Sequence, residues 1–211
     1  MSNQDFRLGD ETDQRLVIAI SHQFLRAESA FARLNRYIAR PSQLSSVVTP
    51  LRLFQDERQW EIDVYNAYVD FLQNLYEYLI ACFKRDRHSL ADIDYKDTDT
   101  LIRIEAEKYH RNCLLLIAAG RGAEFGLNHK EYYEEPVPSD FGTKFRYARN
   151  MNTHADVRRV DTGFMAKFFQ GYHRFVMNLF FLGYGHWSAD NEKTIPWKDI
   201  SEFAKIVFPK Q

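Results

Sequence analysis

A periodic stripe of apolar side chains near the start of the chain constrains the fold more than any other feature. Apolar residues recur there at alternating steps of four and three positions: Leu16, Ile20, Phe24, Ala27, Phe31, Leu34 and Ile38. This spacing places all of them on one face of an α-helix, which we predict over residues 13–39. Pro41 predicts the end of the helix, because the residue before a proline is disfavoured in the α region.

The same spacing recurs along the rest of the chain. A second helix is predicted over residues 57–84, with an apolar face made of Val64, Tyr68, Phe71, Leu72, Leu75, Leu79, Cys82 and Phe83. Further helices are predicted over 100–118, 141–150, 163–183 and 196–207, with a short piece near 44–54 and a long irregular segment over 121–138. No stretch alternates apolar and polar residues over the length of a strand. We therefore predict an all-α fold, an up-down bundle of four to six helices.

Length and composition predict one helical domain over residues 1–211, because 211 residues with 45% hydrophobic side chains suffice for one substantial core. The polar N-terminus, residues 1–5, lacks the character of a secretory signal. The most apolar stretch, 164–182, contains too many polar side chains for a membrane span. We therefore expect a cytoplasmic protein without a membrane partner. The net charge of −1 excludes a surface that is basic all over and leaves room for a local basic patch.

The strongest chemical signal lies at the junction of two predicted helices. Arg149 is followed directly by Asn150 and, five positions on, by His154, and the surrounding basic residues are Lys144, Arg146, Arg158 and Arg159. This local excess of positive charge suits a substrate that carries phosphate. Two other arginine and histidine pairs have a similar spacing, Arg15 with His22 and Arg103 with His110. Both lie within strongly patterned helices and lack the polar residue after the arginine.

The pattern Arg-Asn-x-x-x-His resembles the Arg-x(4–6)-His signature of the HEPN family, in which a polar residue commonly follows the arginine and helices surround the site. The resemblance implies a metal-independent endoribonuclease with Arg149, Asn150 and His154 as catalytic residues. It also implies a homodimer in which two motifs line one cleft. A role as a toxin or defence effector, with an antitoxin or inhibitor protein as a further candidate partner, follows from the same resemblance.

The residue types fit RNA cleavage because RNA carries its own nucleophile, the 2′-hydroxyl beside the scissile phosphate. A histidine titrates near neutral pH and can transfer the proton, while a guanidinium can bind phosphate oxygens through two parallel hydrogen bonds. Asn150 is suited to orient either group. This chemistry needs no metal ion and no cofactor, and we expect none. Tyr132 and Tyr133 are candidates for stacking on RNA bases, as aromatic platforms do, and the alternative is that they pack back on the domain.

The alternative function is that of a non-catalytic helical interaction protein or a nucleotide- or RNA-binding protein. Its partner surfaces would be the stripe of residues 16–38 and the aromatic helix of residues 164–182. Two further patterns have structural explanations. Glu107 and His110 form a single Glu-x-x-His element, whereas a di-iron bundle needs two copies. The aspartate-rich segment 92–99 is typical of a loop that caps a helix.

Overall fold

The structure, a computed structural model, describes residues 5–39, 50–151 and 163–187. Six α-helices and one 3-10 turn follow one another along the chain: α1 (Glu11–Ala39), α2 (Pro50–Asp86), α3 (Tyr95–Ala118), the turn Ala123–Phe125, α4 (Lys130–Glu134), α5 (Phe141–Asn150) and α6 (Phe164–Trp187). No β-strand forms within the described ranges, and the predicted all-α fold is confirmed. In the same part of the chain, no helix combines the length and the apolar character that crossing a bilayer requires.

Helices α1 and α2 form an antiparallel pair, since early residues of one contact late residues of the other. The ring of Phe24 meets the ring of Tyr78 edge-on, with centroids 5.0 Å apart. Further along, the indole Nε1 of Trp60 donates a hydrogen bond to the carbonyl of Tyr37 at 3.0 Å. The residues of the predicted apolar stripe of α1 are buried or half-buried in the core. The exception is Ile38 at the end of the stripe, which is 55% exposed.

Helix α6 completes the core by packing against both α1 and α2. The ring of Phe180 lies 5.2 to 5.4 Å, between centroids, from three aromatic rings: Phe24, Phe31 and Phe71. A Cβ atom at Gly183 would lie 2.6 Å from the ring of Phe24. Only a glycine allows this distance between the helices, because real Cβ contacts are essentially never shorter than 3.0 Å.

Helix α5 is held between α2 and α3, and this contact positions the candidate site. Gly142 lies directly against the α3 backbone, where an added Cβ would be 2.0 Å from the carbonyl oxygen of Asp99. One turn further along α5, the ring of Phe145 meets the ring of Tyr76 on α2 edge-on at a centroid distance of 5.4 Å. The last turn of α5, which contains Arg149, therefore has a fixed position at the junction of three helices.

Some predicted boundaries differ from the observed ones. Helix α2 begins at Pro50 instead of residue 57 and absorbs much of the short piece predicted near 44–54, since proline is tolerated in the first turn of a helix. Helix α3 begins at Tyr95 instead of residue 100, because the carboxylate of Asp94 accepts a hydrogen bond from the backbone N–H of Lys96 at 2.8 Å and caps the helix there. The irregular segment 121–138 contains the 3-10 turn and α4. The helix predicted over 196–207 lies outside the described residues.

Candidate functional site

The guanidinium of Arg149 is fixed at the end of α5 by three neighbours. One amino group donates a hydrogen bond to the carboxylate of Glu77 on α2, and the other donates to Oδ1 of Asn150 at 2.8 Å. The guanidinium also lies over the ring of Tyr76, 5.5 Å from its centroid, in cation–π geometry. The side chain is 29% exposed, so the cation is positioned by protein and still reaches solvent.

A cavity of about 490 Å³ opens at this guanidinium, between α2, the start of α3 and α5; we call it the Arg149 cavity. Its lining includes both Arg149 and Asn150. Neighbouring residues of a helix point about 100° apart, so the cavity wraps around the last turn of α5. Its volume lies within the range of sites that bind small ligands, roughly 300–1,000 Å³. Burial raises the pKa of the Tyr76 hydroxyl in its wall to about 12, which keeps that hydroxyl neutral at physiological pH.

A second cavity of about 320 Å³, the Lys96 cavity, adjoins the first, and Tyr95 and Arg146 line both. The guanidinium of Arg146 donates two hydrogen bonds to Asp99, from Nε to Oδ1 at 2.9 Å and from Nη2 to Oδ2 at 3.0 Å. This carboxylate raises the pKa of Arg146 and holds its side chain between the two cavities. The hydroxyl of Thr143 donates to the same carboxylate at 2.9 Å.

Together the Arg149 and Lys96 cavities form what we call the charged groove. Among its described lining residues, five carry positive charge and three carry negative charge: Lys84, Lys96, Arg103, Arg146 and Arg149 against Glu77, Asp92 and Asp99. The lining therefore has two positive charges in excess, whereas the whole chain has a net charge of −1. A local positive potential in a concave surface attracts anionic ligands.

The structure brings some of the predicted site residues together and separates others. Arg146, Arg149 and Asn150 line the charged groove. Lys144 is half-buried on another face of α5 and lines neither cavity of the groove. The remaining predicted residues lie outside the described part of the chain: His154, Arg158 and Arg159.

The two tyrosines that are candidates for base stacking pack on the bundle, away from the charged groove. Tyr133 is only 4% exposed, and its hydroxyl accepts a hydrogen bond from the backbone N–H of Asn128 at 3.2 Å. Tyr132 is half-buried, and its hydroxyl donates to Oδ1 of Asn178 on α6 at 3.4 Å. Neither tyrosine lines the charged groove. A ring buried in the core has no free face for a base.

Both tyrosines line a third cavity, of about 630 Å³, between α3, α6 and the segment 125–133; we call it the apolar cavity. None of its described lining residues is charged. Cys113 lies in its wall as a free thiol, and burial raises the pKa of this thiol, so it is protonated and unreactive at neutral pH. The irregular segment predicted over 121–138 therefore contributes to the wall of a neutral cavity.

No group of three or more potential metal ligands forms among the residues that the structure describes. Glu107 of the Glu-x-x-His element pairs with Arg103 one turn earlier on α3. His110 of the same element is buried, and its Nε2 lies 2.8 Å from Nδ2 of Asn178. Both residues thus have structural partners within the bundle.

The sequence analysis missed most of the groove lining, including Glu77, Tyr95, Lys96 and Asp99. One signal for the last two was present, because Lys96, Asp99 and Arg103 recur at steps of three and four and so share one polar face of a helix. The first residues of that face lie inside segment 92–99, which we predicted as a capping loop. The helical spacing of the three residues was therefore overlooked. Glu77 had no comparable signal, since only the packing of α5 on α2 shows that it contacts Arg149.

Comparisons with models of known protein families, with curated proteins and with solved structures gave no match. The site is therefore interpreted from its own geometry and from the motif.

Proposed function

We propose that this chain is a metal-independent endoribonuclease that cleaves RNA at the Arg149 cavity, with Arg149, Asn150 and His154 as its catalytic residues. One observation carries the proposal: the guanidinium of Arg149 is fixed at a cavity immediately before the chain segment that contains His154. The resemblance of the Arg-Asn-x-x-x-His pattern to the HEPN signature supports the same function.

The proposed reaction is an internal transesterification. The 2′-oxygen attacks the adjacent phosphorus, the bond from phosphorus to the 5′-oxygen of the next nucleotide breaks, and the products end in a 2′,3′-cyclic phosphate and a 5′-hydroxyl. His154 accepts the proton of the 2′-hydroxyl or supplies one to the leaving 5′-oxygen. Arg149 stabilises the negative charge that builds on the phosphate oxygens.

The hydrogen bonds of Arg149 leave its guanidinium able to bind the phosphate oxygens. A guanidinium has five N–H donors, and the hydrogen bonds to Glu77 and Asn150 use one N–H on each amino group. Among the described residues, no partner takes the second N–H of either amino group, which is then available to phosphate oxygens. Chain connectivity also allows His154 to take part, since a residue five positions from Arg149 lies within about 18 Å of it even when the chain is fully extended.

The proposal includes a homodimer in the cytoplasm, where RNA substrates are present. One arginine and one histidine make a sparse site, and two-fold pairing of two chains supplies one histidine as base and a second as acid. Light scattering should give the mass of a dimer at working concentration. A toxin or defence role, restrained by an antitoxin or inhibitor protein, belongs to the same proposal through the family resemblance.

A non-catalytic helical interaction protein is the second candidate, and exposed apolar residues of α6 favour it. Four of them are at least 40% exposed: Phe169, Phe181, Leu182 and Tyr184. Such side chains along one helix are typical of a surface that a partner protein covers. For this candidate the Arg149 cavity would have no catalytic role.

The deciding experiment compares RNA cleavage by the wild type, His154→Ala and a control, His129→Ala, in the presence of a chelator. His129 is an exposed residue beside α4, remote in sequence from the motif, and its side chain makes no capping hydrogen bond. We expect the wild type and His129→Ala to cut with cyclic phosphate ends, and His154→Ala to lose cleavage by on the order of a hundredfold or more. An oligomer of the same sequence with 2′-deoxy nucleotides throughout should resist the wild type, because it lacks the attacking hydroxyl.

Three results would refute the ribonuclease proposal and favour the interaction protein. The first is cleavage by the His154→Ala protein at the wild-type rate. The second is a requirement for magnesium, and the third is cleavage of the 2′-deoxy oligomer. Circular dichroism should show equal helix content for all three proteins, because a loss of activity through unfolding would otherwise imitate a loss of chemistry.

A further inference from the structure

We infer that Tyr95 is the platform on which a base of single-stranded RNA stacks, with Lys96 and Arg103 binding the backbone phosphate beside it. This inference rests on the proposed function, since it takes RNA as the substrate. It assigns to Tyr95 the stacking role that the positions of Tyr132 and Tyr133 do not allow.

The first argument is the continuity of the groove. Tyr95 and Arg146 line both the Arg149 cavity and the Lys96 cavity, so the two cavities meet at this pair of side chains. A strand whose scissile phosphate lies at Arg149 must continue in some direction along the surface. The Lys96 cavity is a concave and positively charged continuation beside it.

The second argument is the exposure and support of the Tyr95 ring. The residue is 52% exposed at the first position of α3, and the guanidinium carbon of Arg146 lies 4.8 Å from the ring centroid. The two hydrogen bonds from Arg146 to Asp99 fix that guanidinium. A fixed guanidinium thus supports the ring, and about half of the residue is exposed to solvent, which suits a stacking platform.

The third argument is charge. Lys96 and Arg103 both line the smaller cavity, and Lys96 forms no ion pair with another described residue. Its ammonium lies 5.9 Å from the centroid of the Tyr95 ring. A cation beside an exposed aromatic ring offers one contact for a phosphate and one for a base, the two contacts that proteins use on single strands. The ring needs a base with a free face, so the geometry selects a single strand over a duplex, in which the faces of the bases are covered.

The test measures binding of a fluorescein-labelled, unstructured RNA decamer by anisotropy, in the uncleaving His154→Ala background of the full chain. Tyr95→Ala should weaken binding about tenfold, because it removes one stacked base, and Tyr95→Trp should keep the affinity. The matched control is Phe125→Ala. Phe125 is 51% exposed and lies 4.9 Å from the guanidinium carbon of Arg121, but it does not line the charged groove. Its loss should leave binding within about twofold.

A salt titration tests the phosphate contact separately. Each neutralised phosphate of a single strand adds about 0.7 to the slope of log affinity against log salt. Lys96→Ala should therefore lower that slope by about 0.7, whereas Lys130→Ala, which removes a cation paired with Glu134 on α4, should leave it unchanged. Tyr95→Ala should weaken binding without changing the slope.

The outcomes separate this inference from the proposed function. If the wild type cuts RNA while Tyr95→Ala binds as tightly as its parent, the platform is refuted and the ribonuclease stands. If Tyr95→Ala weakens binding but the wild type never cuts, the platform stands and the ribonuclease is refuted. Equal losses for Tyr95→Ala and Tyr95→Trp, or no binding of the decamer by the parent, also refute the platform.

Discussion

The two halves of α3 have the same residue spacing and opposite chemistry. The first half lines the charged groove with Lys96, Asp99, Thr100 and Arg103. The second half lines the apolar cavity with Tyr109, Asn112, Cys113 and Leu116. Both sets follow steps of three, one and three positions, the spacing of one helix face. Spacing therefore identifies a face, while the side chains on it decide whether the cavity attracts a polyanion or an uncharged group.

The helix between these faces is firmly anchored, so their relative position is fixed. Ile102 and Ala106 are fully buried in the shared core. At the groove end, Gly142 of α5 lies against the α3 backbone, and at the apolar end Asn178 of α6 contacts His110. The first contact positions the wall of the charged groove, and the second positions the wall of the apolar cavity. Separate substitutions can remove each contact.

The largest effect is expected at the groove end. Gly142→Ala would place a Cβ atom 2.0 Å from the carbonyl oxygen of Asp99, a backbone atom that has little freedom to move. We expect a loss of about 3 kcal/mol or more in the free energy of unfolding, the upper range for overpacking, together with a loss of RNA cleavage. Denaturation in urea measures the first effect.

The control for this substitution lies in α6. Within the described residues, no atom outside the local helix backbone lies within 4 Å of a Cβ built at Gly171, so Gly171→Ala should stabilise the chain by up to about 1 kcal/mol through helix propensity alone. If Gly142→Ala is as stable as the wild type, the close contact of α5 with α3 is not what positions the groove.

A smaller effect, dependent on pH, is expected at the apolar end. Burial lowers the pKa of His110 below its ordinary value of about 6.5, and the nearby Arg174 charge acts in the same direction. The neutral ring accepts a hydrogen bond from Asn178, and protonation would remove that acceptor. The unfolded state therefore binds more protons, so stability is full above about pH 6.5 and falls as the pH drops below it.

The measurement is the unfolding free energy between pH 7.5 and 5. Its slope is at most about 1.4 kcal/mol per pH unit for each such histidine. Burial also lowers the pKa of His173, to about 4, so this second histidine contributes with the same sign. His110→Gln, whose amide oxygen can still accept from Asn178, should reduce the slope, and the exposed His129→Ala should not. A slope that is equal in His110→Gln and the wild type would refute the assignment to His110.

The helical fold was predictable because its information is local. The apolar faces of α1 and α2 recur at helical steps, and nearly all of their predicted members are buried or half-buried. The cap at Asp94 was harder to place, since several neighbouring aspartates offer the same chemistry and only the structure shows which carboxylate accepts the backbone N–H.

The candidate site was only partly predictable, because its contacts join residues far apart in the chain. The motif identified Arg149 and Asn150, and both line one cavity. The partner Glu77 lies 72 positions away from Arg149, and no local pattern predicts such a pair. The positions of Tyr132 and Tyr133 were also hard to predict, because their segment lacks a periodic pattern, and ring contacts with His110 place both tyrosines against the bundle.

The most direct test of the central claim compares Arg149→Ala with a matched arginine outside the groove. Arg174 is 27% exposed, pairs with Glu135 and lies 4.4 Å from the ring centroid of Phe175, so its surroundings closely resemble those of Arg149. Both substitutions remove one paired, ring-stacked cation, and both should cost a similar, modest amount of stability.

RNA cleavage should separate the two proteins. We predict that Arg149→Ala lowers the cleavage rate on the order of a hundredfold, as the loss of a positioned charge-stabilising donor does, whereas Arg174→Ala stays within about twofold of the wild type. Equal cleavage rates for Arg149→Ala and Arg174→Ala, measured on proteins of equal helix content, would contradict the claim that the charged groove is the active site.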